Sequence, residues 1–69
     1  MKSYKDVSRK ALLEVIKKSG KNKSQFSADV GFSKDHTYRV QREGLPVSYM
    51  QRVCKHLGMS YSEFLKLGE

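Results

Sequence analysis

Cysteine occurs once in this 69-residue sequence, histidine twice and proline once. The lone Cys54 has no partner for an internal disulfide, and one thiol with the scattered His36 and His56 makes no metal-ligand cluster. That usage suits a reducing cytosol. No run of about 18 apolar residues is present and the N-terminus carries no apolar signal core, so a soluble, cytoplasmic protein is expected. No stretch alternates apolar and polar residues long enough to make a useful strand, and repeats, linkers and low-complexity segments are missing too. The sequence also lacks a Gly-rich phosphate loop, a paired-carboxylate pocket and any Ser/His/Asp or Cys/His arrangement. Nothing is left to support catalysis, and no enzymatic activity, cofactor or metal is expected.

Acidic residues are scarce beside basic ones: seven Asp/Glu against fourteen Lys/Arg, a formal net charge of +7. The excess is uneven. Residues 1–23 hold eight cations against Asp6 and Glu14, residues 24–44 balance at three of each sign, and residues 45–69 hold three against two. An evenly basic surface would be ordinary solvated charge. A cationic flank beside a neutral segment instead suits sequence-specific DNA binding, because phosphate contacts position a protein while base contacts discriminate. The length allows one domain, residues 1–69, burying only about 60% of the surface its unfolded chain exposes.

What the sequence does have is helical periodicity. A first helix is expected from near Tyr4 to Ser19, with Ser3 and Asp6 in a weak cap pattern and Tyr4, Val7, Ala11 and Val15 at helical spacing. Leu12 and Ile16 broaden that stripe, Lys17 and Lys18 suit the negative end of the helix dipole, and Gly20 stops it. Asn22 caps a second helix, leaving Lys23 and free backbone N–H groups at an anion-friendly start. Phe26 and Val30 form its i, i+4 apolar pair, and Gly31 follows at once. Ser33 caps a third helix of roughly Ser33 to Arg42, whose Thr37 and Val40 face inward and which ends before Gly44. Pro46 is placed in the first turn of a fourth helix, with Val47, Met50, Val53, Cys54 and Leu57 inward and Gly58 at its end. Ser60 and Glu63 make a capping box for a fifth helix carrying Phe64 and Leu65. The expected fold is all-α, a compact domain of five helices. The two short helices across Asn22 to Gly44, residues 22–44, have the plan of a helix-turn-helix, whose second helix can enter the DNA major groove.

The same residues resemble the lambda-repressor-like, Cro-type helix-turn-helix family. Its pattern runs Ser-Gln-x-x-Leu-Ala-x-x-Leu-Gly-Val-Ser and continues into a helix resembling Thr-Val-Tyr-Arg-Trp. Asn22-Lys23 stand at the Ser-Gln places, Phe26-Ser27 at Leu-Ala, Val30-Gly31-Phe32-Ser33 at Leu-Gly-Val-Ser, and His36-Thr37-Tyr38-Arg39-Val40 along the following helix. Val53-Cys54-Lys55-His56-Leu57-Gly58-Met59-Ser60 is similar to the family's fourth helix, and Ser62-Glu63-Phe64-Leu65 to the opening of its fifth. The sequence departs from the family at Ser27 (usually Ala), at Thr37 (usually a larger aliphatic residue) and at Lys21 (usually hydrophobic). A frequent Arg–Glu pair between the first and third helices is replaced by Ile16 and Gln41.

With Thr37 and Val40 inward, Lys34, Asp35, Tyr38 and Arg39 fall on the outer side of the third helix and His36 on a flank. The resemblance places Lys34, Asp35 and Arg39 at base-reading positions. Arg39 and Lys34 can reach guanine O6 and N7. Asp35 can accept from cytosine N4 or simply cap the helix, and Tyr38 can meet a phosphate or a thymine methyl. Lys21, Lys23, Ser33 and Arg42 are the expected phosphate anchors. His56 is expected at the surface, Cys54 as a small buried side chain and the methionines as core filler or interface. Met59, Tyr61 and Leu67 are apolar beyond what the family core needs, and a homodimer contact is expected there. The function implied is a stand-alone Cro-like repressor of a phage or prophage, in a bacterial cell or phage-infected host. It would bind a near-palindromic double-stranded operator as a dimer, with no small-molecule ligand. The alternative from another class is a helical protein-interaction module, an antitoxin or polymerase-contacting adaptor, with DNA binding weak or secondary.

Overall fold

Four helix starts are fixed by a side chain that accepts a hydrogen bond from the first turn. Ser3 accepts from the Asp6 N–H, Asn22 from Gln25, Ser33 from His36 and Ser60 from Glu63. The computed structural model describes residues 3–69, which contain five α-helices and no strand. These are α1 (Tyr4–Ser19), α2 (Lys23–Val30), α3 (Lys34–Glu43), α4 (Val47–Leu57) and α5 (Tyr61–Lys66). Asn22 and Gln25 form a complete capping box, because the Gln25 side chain also accepts from the Asn22 N–H. At α5 the Glu63 carboxylate turns to the Ser60 hydroxyl instead, so only half of the expected box forms.

The turn between α2 and α3 needs a glycine. Gly31 has φ 96° and ψ 26°, and its N–H closes α2 by donating to the Ser27 and Ala28 carbonyls. The Phe32 N–H donates to Ser27 as well, so the chain reverses tightly and Ser33 is delivered as the next cap.

The core is drawn from all five helices. Ala11, Leu12, Val15 and Ile16 of α1 meet Phe26 and Val30 of α2, Val40 of α3, Tyr49, Met50, Val53 and Cys54 of α4 and Phe64 of α5. Three expectations need correction. Pro46 caps α4 from outside the helix, with φ −63°, instead of occupying its first turn. Val47 is 58% exposed and not inward, while Tyr49, unassigned from the sequence, is fully buried. Tyr49 lies one turn before Val53 on the inward stripe, whereas Val47, the first residue of α4, stands at the open end of that stripe and is left uncovered. Tyr4 is largely exposed, and what holds it is polar: its hydroxyl donates to the Leu45 carbonyl at 2.8 Å.

The end of α5 is pressed onto α1. Gly68 is buried there, and a Cβ added to it would lie 1.9 Å from the Val7 carbonyl oxygen and 3.0 Å from the Ala11 nitrogen. Backbone cannot yield as a flexible side chain does, so only glycine fits. Gly68→Ala is expected to lower stability by about 1–3 kcal/mol, the usual range for overpacking. Urea unfolding followed by circular dichroism measures it, and an unchanged midpoint would contradict the contact.

Candidate nucleic-acid interface

The presentation of α3 begins with its buried side. Thr37 is fully buried and Val40 nearly so, leaving Lys34, Asp35, Tyr38 and Arg39 exposed together on the opposite side, with Arg42 beside them. The sequence-derived division of this helix is therefore what the fold contains.

Thr37 is held by a chain of hydroxyls. Its Oγ1 lies 2.9 Å from the Tyr49 hydroxyl and 2.5 Å from Ser27 Oγ, and Ser27 Oγ lies 2.6 Å from the Lys23 carbonyl. Each hydroxyl has one proton, and among the described residues the fully buried Tyr49 hydroxyl has Thr37 as its hydrogen-bond partner. The order that satisfies all three donors runs from Tyr49 to Thr37, from Thr37 to Ser27, and from Ser27 to the Lys23 carbonyl. The polar side chains of Ser27 and Thr37 are thus one linked feature crossing α2, α3 and α4. Rings pack beside it: Phe32 stacks on Tyr49 at 4.4 Å and on His36 at 5.1 Å, and the Arg52 guanidinium sits 5.3 Å from the Phe32 ring centre. His36 is accordingly a half-buried flank residue.

The expected anchors occupy different surroundings. Lys23 Nζ lies 5.0 Å from the centre of the Tyr38 ring, which joins the first turn of α2 to the exposed side of α3. Ser33 accepts from His36 and keeps its own proton available. Lys21 is engaged with the Asp29 carboxylate, so its charge is offset locally. An exposed pair of this kind is worth only about 0–1 kcal/mol and exchanges readily for another anion. Arg42 is exposed and 4.0 Å from Glu43. Lys34, Arg39 and Lys23 have no carboxylate within 4.0 Å among the described residues.

Two cations that the sequence left unassigned lie at the other end of α3. Arg9 Nε donates to the Gln41 carbonyl at 2.5 Å, satisfying one of the free carbonyls of the last turn, and its guanidinium is 4.0 Å from Asp6. Lys5 packs at Gly44, where a Cβ would meet its Cγ at 3.1 Å. Arg9 thereby ties α1 to the backbone of α3 at Gln41. Arg9, Leu12 and Ile16 share i, i+3, i+7 spacing, a pattern that places Arg9 on the edge of the buried stripe.

Of the three residues expected at a dimer contact, only Tyr61 is exposed, at 39%. Met59 and Leu67 are half-buried against the core. His56 is exposed and Cys54 buried, as expected. Among the described residues no helix is long and apolar enough to cross a membrane, and no group of His, Cys, Asp or Glu side chains is placed to hold a metal. Comparison with family models, curated proteins and solved structures finds nothing that matches this chain.

Burial pushes the Tyr49 hydroxyl above its ordinary value of 10.0, against a smaller opposing effect of Thr37. Burial likewise raises the Cys54 thiol above 9.0 and, with the Cys54 charge adding to it, the Tyr4 hydroxyl above 10.0. All three hold their protons more tightly folded than unfolded. Their stabilisation is complete below the unfolded values and is lost as pH rises through the folded ones, so stability should decline above about pH 9. Tyr49→Phe is expected to cost about 1 kcal/mol and flatten this decline. Thr37→Val should cost more, about 1–3 kcal/mol, because it strands the Tyr49 proton. Equal losses in urea titrations across neutral and alkaline pH would reject the chain.

Proposed function

We propose that this protein is a sequence-specific, double-stranded DNA-binding transcriptional regulator of lambda-repressor-like fold, a Cro-like repressor. In this reading α2, the Gly31 turn and α3 form the helix-turn-helix, and α3 lies in the major groove. The observation that carries it is the exposed face of Lys34, Asp35, Tyr38 and Arg39 on a helix whose other face is fixed by buried Thr37 and Val40. Cations flank that face, Lys23 near its middle and Lys5, Arg9 and Arg42 near its finish. Arg39 forks onto a guanine edge and Lys34 reaches neighbouring acceptors, while Asp35 and Tyr38 tune the choice. Lys23, Ser33, Arg42 and, after leaving Asp29, Lys21 hold phosphates.

Readers and anchors separate under substitution. Arg39→Ala should lose about 1–3 kcal/mol on the preferred site and relax preference at one base pair. Lys23→Ala should weaken all duplexes alike and reduce a log–log salt slope of roughly −4 to −7, set by about four to eight neutralised phosphates per dimer. Selection from random duplexes followed by salt titration measures both. Unchanged base preference in Arg39→Ala would remove α3 from the groove.

One α3 covers too few base pairs to select a genomic site, so the functional unit is a two-fold dimer on a near-palindrome. Half-site centres then lie about 34–36 Å apart. The domain extends 32 Å along its longest axis, enough for copies one DNA turn apart to meet. Tyr61 is the contact residue best exposed for that meeting, with Met59 beside it and Leu67 contributing less. Footprinting at saturating protein should protect both halves, and protection of one asymmetric half-site would exclude the dimer.

A further inference from the structure

Helices α3 and α4 do not pack backbone to backbone. No Cα of α3 lies within 8 Å of one in α4, so side chains must make the connection. Tyr49 spans the gap. It is fully buried, its ring stacks on Phe32 of the turn at 4.4 Å and tilts beside His36 at 5.6 Å. Its hydroxyl meets Thr37 Oγ1 at 2.9 Å.

The ring contacts set how deep Tyr49 sits, while the hydroxyl sets a direction, because a hydrogen bond weakens steeply once bent. On α3 the receiving atom belongs to a β-branched side chain with few allowed χ1 settings, so a fixed Oγ1 means a fixed helix rotation. Asp35 and Arg39, two residues either side of Thr37, project about 160° away from it around the helix. A rotation of about 20° carries a side-chain tip about 6 Å from the axis through about 2 Å, more than a base-edge hydrogen bond tolerates. Thr37 has a second tie, to Ser27 of α2, whose hydroxyl ends on the Lys23 carbonyl. The Lys23 ammonium in turn lies 5.0 Å from the centre of the Tyr38 ring. The residue expected to hold phosphate is thereby registered against the helix expected to read bases.

We propose that Tyr49 and Thr37 are positioning residues for base recognition. Both are fully buried and touch no DNA, and their hydrogen bond sets the angle at which α3 presents Lys34, Asp35, Tyr38 and Arg39. This role rests on the assignment of α3 as the recognition helix, and it makes a buried hydroxyl of α4 part of base specificity.

The test is the ratio of dissociation constants for the preferred duplex, found by selection from random duplexes, and its single-base-pair variants. Partial unfolding weakens binding to every duplex by the same factor, so it cancels from this ratio and only geometry moves it. Tyr49→Phe keeps the ring and removes the hydroxyl, and Thr37→Val keeps the shape and removes the link on both sides. Each should lower discrimination by about three- to tenfold, at several base pairs together, because the whole helix turns. Arg39→Ala, by contrast, relaxes one base pair. Thr37→Ser keeps the hydroxyl and should restore the parent ratios. Phe64→Leu is the control for stability: α5 packs on α1 and α4 and not on α3, so its ratios should stay those of the parent. Unchanged ratios in Tyr49→Phe and Thr37→Val, with a base preference in the parent, overturn the positioning role and leave the regulator reading intact. An equal fall in Phe64→Leu overturns that role as well. A parent without any base preference removes the recognition-helix reading and the positioning role with it.

Discussion

A single line of hydroxyls, from Tyr49 through Thr37 and Ser27 to the Lys23 carbonyl, sets how α3 is held. One order of donors satisfies all three hydroxyls, with Tyr49, sealed from water, giving its proton to Thr37. An apolar crossing of helices tolerates small slides, since dispersion contacts are weakly directional. Hydrogen bonds between short side chains do not, and each left open in the interior costs about 1–3 kcal/mol. The chain therefore fixes both the depth of α3 and its rotation about its own axis. Rotation matters most, since it decides which side chains stand outward. The stack of Tyr49, Phe32 and His36 adds a second, apolar constraint on the same turn.

The local features of this fold follow from short-range chemistry, and the sequence contains them plainly. Serine or asparagine at the helix starts, glycine past the helix ends, and the i, i+3, i+4 placement of Phe26, Val30, Thr37 and Val40 place four helix starts and the buried side of α3. What the sequence concealed depends on partners far along the chain. Tyr4 finds the Leu45 carbonyl, Arg9 finds that of Gln41, and Tyr49 finds Thr37 only when α3 and α4 pack. Val47 has inward helical spacing, three residues before Met50, and its exposure follows from its place as the first residue of α4, which spacing along the helix does not report.

The candidate site divides along the same line. Exposure of Lys34, Asp35, Tyr38 and Arg39 is a matter of helical phase, which periodicity carries. The Lys23–Tyr38 approach, the engagement of Lys21 by Asp29 and the arrival of Lys5 and Arg9 at the end of α3 depend on how the helices meet. Charge counted by segment located a basic first third. The packing of α1 along α3 is what carries part of that charge to the neutral helix.

The seat of Gly68 on α1 also bears on the order in which the chain becomes ordered. Val7 and Ala11 are made early in synthesis, yet the backbone that covers them follows α5. Helix 1 cannot complete its enclosure until that late segment emerges and closes the loop from Val7 to Gly68, whose entropy must be surrendered at once. Helices α2 and α3 can form their turn beforehand, because Gly31 and the Ser33 cap are local. The α2–α3 turn is thus local and can precede the closure of the core, which waits on the segment after α5.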